Sequence, residues 1–267
     1  MATSWTRAER WAVGISIASF LLSAALAALT VVTALNWHLP GYQSPEYLVA
    51  KKFLSAYTLG TVDGLAEAQG YTAVGSPARN FARTEYLTWV AQRRVDSEAK
   101  PPAYTLRRSG TTLIKCPTEA KSSEECDTYS NFIVDAASGL LSDFSVNRFS
   151  IRSNVVQPSD EQCQDSWCYR LEAGYWSPRR HELLVALSFA NNSDGKMRLD
   201  LDHAVYYDAG GNSRDVDGLN GIRDYSRVGK GYAWLSLDAL DSGGQLAVPA
   251  YRDGRKEPYW CWFIFET

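Results

Sequence analysis

Cysteines are the side chains with the most chemistry to offer in this 267-residue chain. Cys116 and Cys126 bracket a polar run, Pro-Thr-Glu-Ala-Lys-Ser-Ser-Glu-Glu, of the kind that joins two strands at the surface; Cys163 and Cys168 bracket Gln-Asp-Ser-Trp. Each pair could close a short loop as a disulfide in an oxidising compartment. The rivals are a zinc site, for which the spacings lack the CxxC knuckle and no histidine stands near, and free thiols. Cys261 is the odd one, and its apolar neighbours predict a buried, inert thiol.

Histidine is scarce. Of the three, His38 lies beside the apolar N-terminal run, His181 opens a strand next to Arg179 and Arg180, and His203 alternates in register with Leu201 and Val205, which predicts a core position. Ser-His-Asp chemistry needs an available imidazole and a positioned serine, and no G-x-S-x-G elbow is present. The acidic run Asp215-Val-Asp217-Gly-Leu-Asn220-Gly-Ile-Arg-Asp224 has the carboxylate density of a calcium loop. Counted from Asp215, however, the fifth, sixth and twelfth positions are Leu219, Asn220 and Ser226 instead of an oxygen ligand, Gly and Glu. Asn191-Asn192-Ser193 satisfies the glycosylation sequon, but a tight turn between strands accounts for the same residues. Phosphate-cradling glycine motifs are missing, so no cofactor is expected. A net charge of −3 with scattered Lys and Arg argues against nucleic-acid binding, which needs a concentrated basic face.

The elements that must position any site begin with an uncharged stretch from Trp11 to Trp37. As one helix it would rise roughly 40 Å, more than the roughly 30 Å hydrocarbon core of a bilayer. Residues 1–10 are then a short cytoplasmic tail carrying Arg7 and Arg10, residues 11–37 a transmembrane helix, and everything after about residue 38 extracytoplasmic by the positive-inside rule. A cleaved signal peptide, with Ala25-Leu26-Ala27 for the peptidase, is the alternative, and it exports the same residues.

Beyond a linker at His38–Ser44, apolar residues at helical spacing predict a helix from Pro45, a shorter one over Val62–Ala68 and a third from about Arg79 to Val95, stopped before Pro101-Pro102. Strands are predicted at Tyr104–Arg107, Thr111–Lys115, Tyr129–Asp135 and Leu140–Val146. Residues 151–162 are polar and irregular and predict a domain boundary. Alternation then gives strands at Leu183–Phe189, Leu199–Tyr207, Tyr232–Leu237, Gln245–Val248 and Tyr259–Phe265. Aromatic residues at 12% supply the bulk for compact cores.

Helices followed by a strand meander, and above all Phe132-Ile-Val-Asp-Ala-Ala-Ser-Gly-Leu-Leu-Ser-Asp-Phe-Ser-Val, resemble the cone-shaped α+β domains of the NTF2-like superfamily over residues 45–150. The strand Leu183–Phe189 ending at Asn-Asn-Ser, with Leu199–Tyr207 ending at Asp-Ala-Gly-Gly, is similar to immunoglobulin-like β-sandwich modules of bacterial surface proteins over residues 163–267. The first resemblance implies a cone whose mouth can hold a ligand, with Tyr57, Tyr71, Phe81, Tyr86 and Trp89 as candidates to line it, although core packing is the favoured reading of each. Its Asp–His dyad has no counterpart, because no histidine occurs between 39 and 180. The expectation is a non-enzymatic, single-pass membrane protein of the bacterial envelope. Residues 11–37 would tether two modules that bind a protein partner or oligomerise, as in a secretion, conjugation or envelope assembly. The alternative is a small-molecule carrier or enzyme using the cone pocket.

Overall fold

The computed structural model describes residues 43–266 except 121, 123–124, 193–194, 217–219, 226–228 and 239–242. Three helices come first: α1 (Pro45–Tyr57), α2 (Val62–Gly70) and α3 (Pro77–Val95). Thr61 and Ser76 cap α2 and α3, each hydroxyl accepting from a first-turn backbone N–H, and Pro77 stands in the first turn of α3, where its missing donor is harmless.

Strands β1 (Tyr104–Ser109), β2 (Thr112–Pro117), β3 (Asp127–Val134), β4 (Leu141–Val146) and β5 (Phe149–Ser150) form an antiparallel meander in that order. Leu113, Tyr129, Leu141 and Phe144 turn inward onto Phe53, Tyr57 and Phe81 of the helices. The Phe53, Tyr57, Phe81, Tyr129 and Phe144 rings meet at 5.3–5.8 Å, a range in which aromatic pairs add to the burial of their area.

The rest of the chain supplies β6 (Val155–Val156), β7 (Gln162–Gln164), β8 (Trp167–Ser177), β9 (Glu182–Asn191), β10 (Met197–Leu199), β11 (Val205–Tyr207), β12 (Ser213–Asp215), β13 (Asn220–Gly221), β14 (Asp224–Tyr225), β15 (Gly229–Asp238), β16 (Gly244–Arg252) and β17 (Tyr259–Phe265). A second sheet has the order β12-β11-β16-β10-β14, with β17 on the other edge of β16; a third has the order β13-β15-β9-β8-β6, with β7 also on β8. Their facing side chains form one core around Trp167, Leu171, Leu187, Phe189, Leu246, Val248 and Phe263.

The expected fold class is corrected. The described chain is predominantly strand with three helices, and none of its helices is long and apolar enough to cross a membrane; the span expected at 11–37 lies outside the described residues. Residues 45–267 form one compact unit built around two cores, one between the helices and the first sheet and one between the second and third sheets. The cause is α3, which packs on the first sheet with one flank and on β8, β9, β13 and β15 of the third with another. Phe81 meets Tyr175 edge-on at 4.8 Å, and Arg83 pairs with the buried carboxylate of Glu172. The supposed boundary is itself core: Ile151, Val155 and Val156 are fully buried, and β6 pairs with β8.

Candidate functional site

Cross-strand register builds a polar interior under the first sheet. Lys115 of β2 lies directly opposite Asp127 of β3, and the adjoining residues, Cys116 and Cys126, close a disulfide. Both charged side chains point inward and are nearly sealed from solvent. The Lys115 ammonium sits 3.7 Å from Asp127 Oδ2, with the rings of Tyr104, Tyr57 and Tyr129 at 4.4, 5.1 and 5.8 Å. Asp127 gathers further donors: Arg180 Nη2 donates to Oδ2 at 3.3 Å, Asn147 Nδ2 to Oδ1 at 2.8 Å, and Arg179 Nη1 lies 3.7 Å from Oδ1 while donating to the Cys126 carbonyl. The turn between β8 and β9 is thereby clasped to the first sheet.

These groups surround a cavity of about 90 Å³ walled by the first sheet, α1, α3 and the β8–β9 hairpin. Water occupies about 30 Å³ per molecule and drug-sized sites run to roughly 300 Å³ and more. The cavity therefore suits a few waters or a molecule of a few heavy atoms. Burial pulls the Lys115 ammonium below its ordinary range, an effect Asp127 opposes, and pushes Tyr57 and Tyr129 well above theirs; Tyr104, less buried, is raised to about 12.

Of the aromatic residues expected at a pocket, Tyr57 and Phe81 line this cavity. Tyr71 lies elsewhere, its hydroxyl donating to Glu67 Oε1 at 2.9 Å in an exposed contact. Tyr86 and Trp89 are half-buried packing residues at the margin of the core. Sequence reasoning missed Lys115, Asp127, Tyr104, Tyr175 and Arg180. A signal was present: each of the paired cysteines has a charged neighbour, Lys115 before the first and Asp127 after the second, so a bridge between adjacent strands sets those charges opposite one another.

Both expected disulfides form, Cys116–Cys126 and Cys163–Cys168, and Cys261 is a buried thiol that accepts from Trp167 Nε1 at 3.2 Å. Glu161 approaches Cys163 and Cys168, but sulfurs engaged in a disulfide are no metal ligands. His203 is not in the core: it ends a short helical turn, Leu201–His203, and lies exposed with Nδ1 2.9 Å from Asp200 Oδ2. Asn191 of the sequon is fully buried and spends its amide on the carbonyls of Gly195 and Tyr225, which leaves no nitrogen for a glycan.

A second feature lies on the outer face of the second sheet. Along β17 the inward residues Cys261, Phe263 and Phe265 alternate with Trp260, Trp262 and Ile264, which are 42%, 39% and 49% exposed. Their cross-strand neighbours on β16 are Pro249, Ala247 and Gln245, and Tyr207 of β11 brings its ring to 5.8 Å from that of Trp262. The outer face is therefore apolar where a solvated sheet would alternate to polar.

No family model matches the chain, and no curated protein does. Among solved structures, a functionally unknown protein from Listeria monocytogenes EGD-e superposes with a TM-score of 0.26 at 11% identity, over 36% of this chain and 73% of its own. A structural-genomics target known from an X-ray structure gives 0.19 at 12% identity, over 42% and 79%. Likeness this slight carries no statement about fold or activity.

Proposed function

We propose that this chain is an exported, non-enzymatic binding protein that engages a protein partner through the outer face of the second sheet. The observation that carries this reading is the row Trp260, Trp262 and Ile264, three large apolar side chains held in solvent by a strand whose other face is core. Contiguous exposed apolar surface marks interaction sites, and Trp is among the residues that dominate binding energy. Two disulfides favour an oxidising compartment. The carrier alternative is weakened by a cavity of about 90 Å³, too small for a ligand of drug size.

The test is a photo-crosslinking amino acid at position 262 of the full chain in its native host. A discrete adduct that disappears with Trp260→Ser, and that the same probe at the 90% exposed Val74 does not give, is expected. Identical adduct patterns at the two positions would sink the reading.

A further inference from the structure

We propose that Lys115 is a reactive amine whose cavity admits small aldehydes and condenses with them to an imine. The side chain is enclosed on several sides by the rings of Tyr57, Tyr104 and Tyr129; among the described residues the one carboxylate within 4 Å of it, that of Asp127, stands at 3.7 Å, and Glu85 acts on it from farther off. The same carboxylate is shared with Arg179, Arg180 and the Asn147 amide, which divides its hold on the ammonium. A lysine desolvated among aromatic rings beside other cations is in the setting that activates amines as nucleophiles toward carbonyl groups.

Size and charge select the ligand. About 90 Å³ accommodates a carbonyl compound of a few heavy atoms. Both signs of charge line the space, Lys115 and Arg180 against Glu85, Asp127 and Glu182, so a neutral molecule enters without the repulsion an ion of either sign would meet. In the condensation the amine nitrogen bonds the carbonyl carbon, the carbonyl oxygen departs as water carrying the two amine protons, and a C=N bond remains. No oxidant, reductant or cofactor is needed.

Glycolaldehyde, neutral and of four heavy atoms, is the probe, with cyanoborohydride added to reduce the imine so that peptide mass spectrometry can locate it. In the folded full chain at neutral pH, Lys115 is expected to be labelled several-fold faster than the exposed Lys51, Lys100, Lys196 and Lys256, since burial lowers its affinity for the proton and enlarges its free-base fraction. Unfolding in urea is expected to abolish that preference. Labelling of Lys115 no faster than of the four surface lysines, or only after unfolding, overturns the proposal. The wild-type chain alone decides this, so a variant that fails to fold cannot obscure it; Lys115→Arg, if folded, is expected to lose the fast adduct and keep the slow ones.

Discussion

Single residues are where the sequence speaks most plainly about cysteine and least about charge. Cys261 has no exposed surface, and burial raises its thiol to about 12, so almost no thiolate exists at neutral pH. Iodoacetamide at pH 8 is expected to leave the folded, unreduced protein unlabelled and to add one group after unfolding; rapid labelling of the folded state, or three or more groups after unfolding, would contradict this assignment. Glu172 was invisible to pattern reading, because a lone Glu in a strand reads as solvent-facing. It is instead 2% exposed, accepting from Arg83 of α3 and lying 3.7 Å from Lys230 of β15. Removing one partner of a buried pair costs about 3–5 kcal/mol where the other stays buried. Arg83 and Lys230 are partly exposed and can rehydrate, so Glu172→Ala is expected to cost about 2 kcal/mol, read as a lower urea midpoint at unchanged slope. A loss below a few tenths would mean that the pair contributes nothing.

Secondary-structure elements with clean periodicity were legible, and the exceptions have geometric causes. The three helices and the first four strands follow their apolar spacing and turn signals. The stretch Leu199–Tyr207 alternates as one strand, yet it is two, β10 and β11, laid end to end along one edge of β16. Leu199 opposes Ala250 and Val205 opposes Ala247, so the chain has more residues to place than its partner offers, and the surplus coils into the turn Leu201–His203. That turn swings His203 out of the core and against Asp200, whose hydrogen bond raises the imidazole above its ordinary 6.5. Because the folded value is the higher, this contact stabilises fully at pH below the unfolded value, and its contribution disappears as pH rises through the folded one. An NMR titration is expected to place the His203 midpoint above 6.5 and Asp200→Asn to lower it; equal midpoints in the two proteins would remove the contact. In β15 the requirement is for space: a Cβ on Gly231 would lie 2.6 Å from the Tyr225 ring. Gly231→Ala is therefore expected to cost about 1–3 kcal/mol by overpacking, which for a unit of this size lowers Tm by roughly 2–12 °C; an unchanged Tm would mean that the Tyr225 ring moves aside freely.

For the whole molecule, the change of texture near residue 150 suggests two modules, and what it hides is the sharing of α3. Arg83 of that helix pairs with Glu172, and its Arg94 Nη1 donates to the Lys230 carbonyl at 2.9 Å. Periodicity reports which side of a helix is apolar; it cannot report that a polar side is met by partners from strands many residues away. Asn80 likewise donates to Gln157 at 3.2 Å, and Asp127 of the first sheet holds Arg180 of the β8–β9 turn. Cutting between the supposed modules would strip Tyr175 from Phe81, separate Glu172 from Arg83 and leave Asp127 without two of its cations. Residues 45–267 are therefore expected to unfold as one unit, with tryptophan fluorescence and far-UV circular dichroism tracing coincident urea transitions. Fragments 45–150 and 163–267 are each expected to lack a cooperative transition, since each would expose one side of the shared layer. Two resolved transitions in the intact unit, or a sharp independent transition in either fragment, would restore the two-module reading and reduce α3 to a helix of the first module alone.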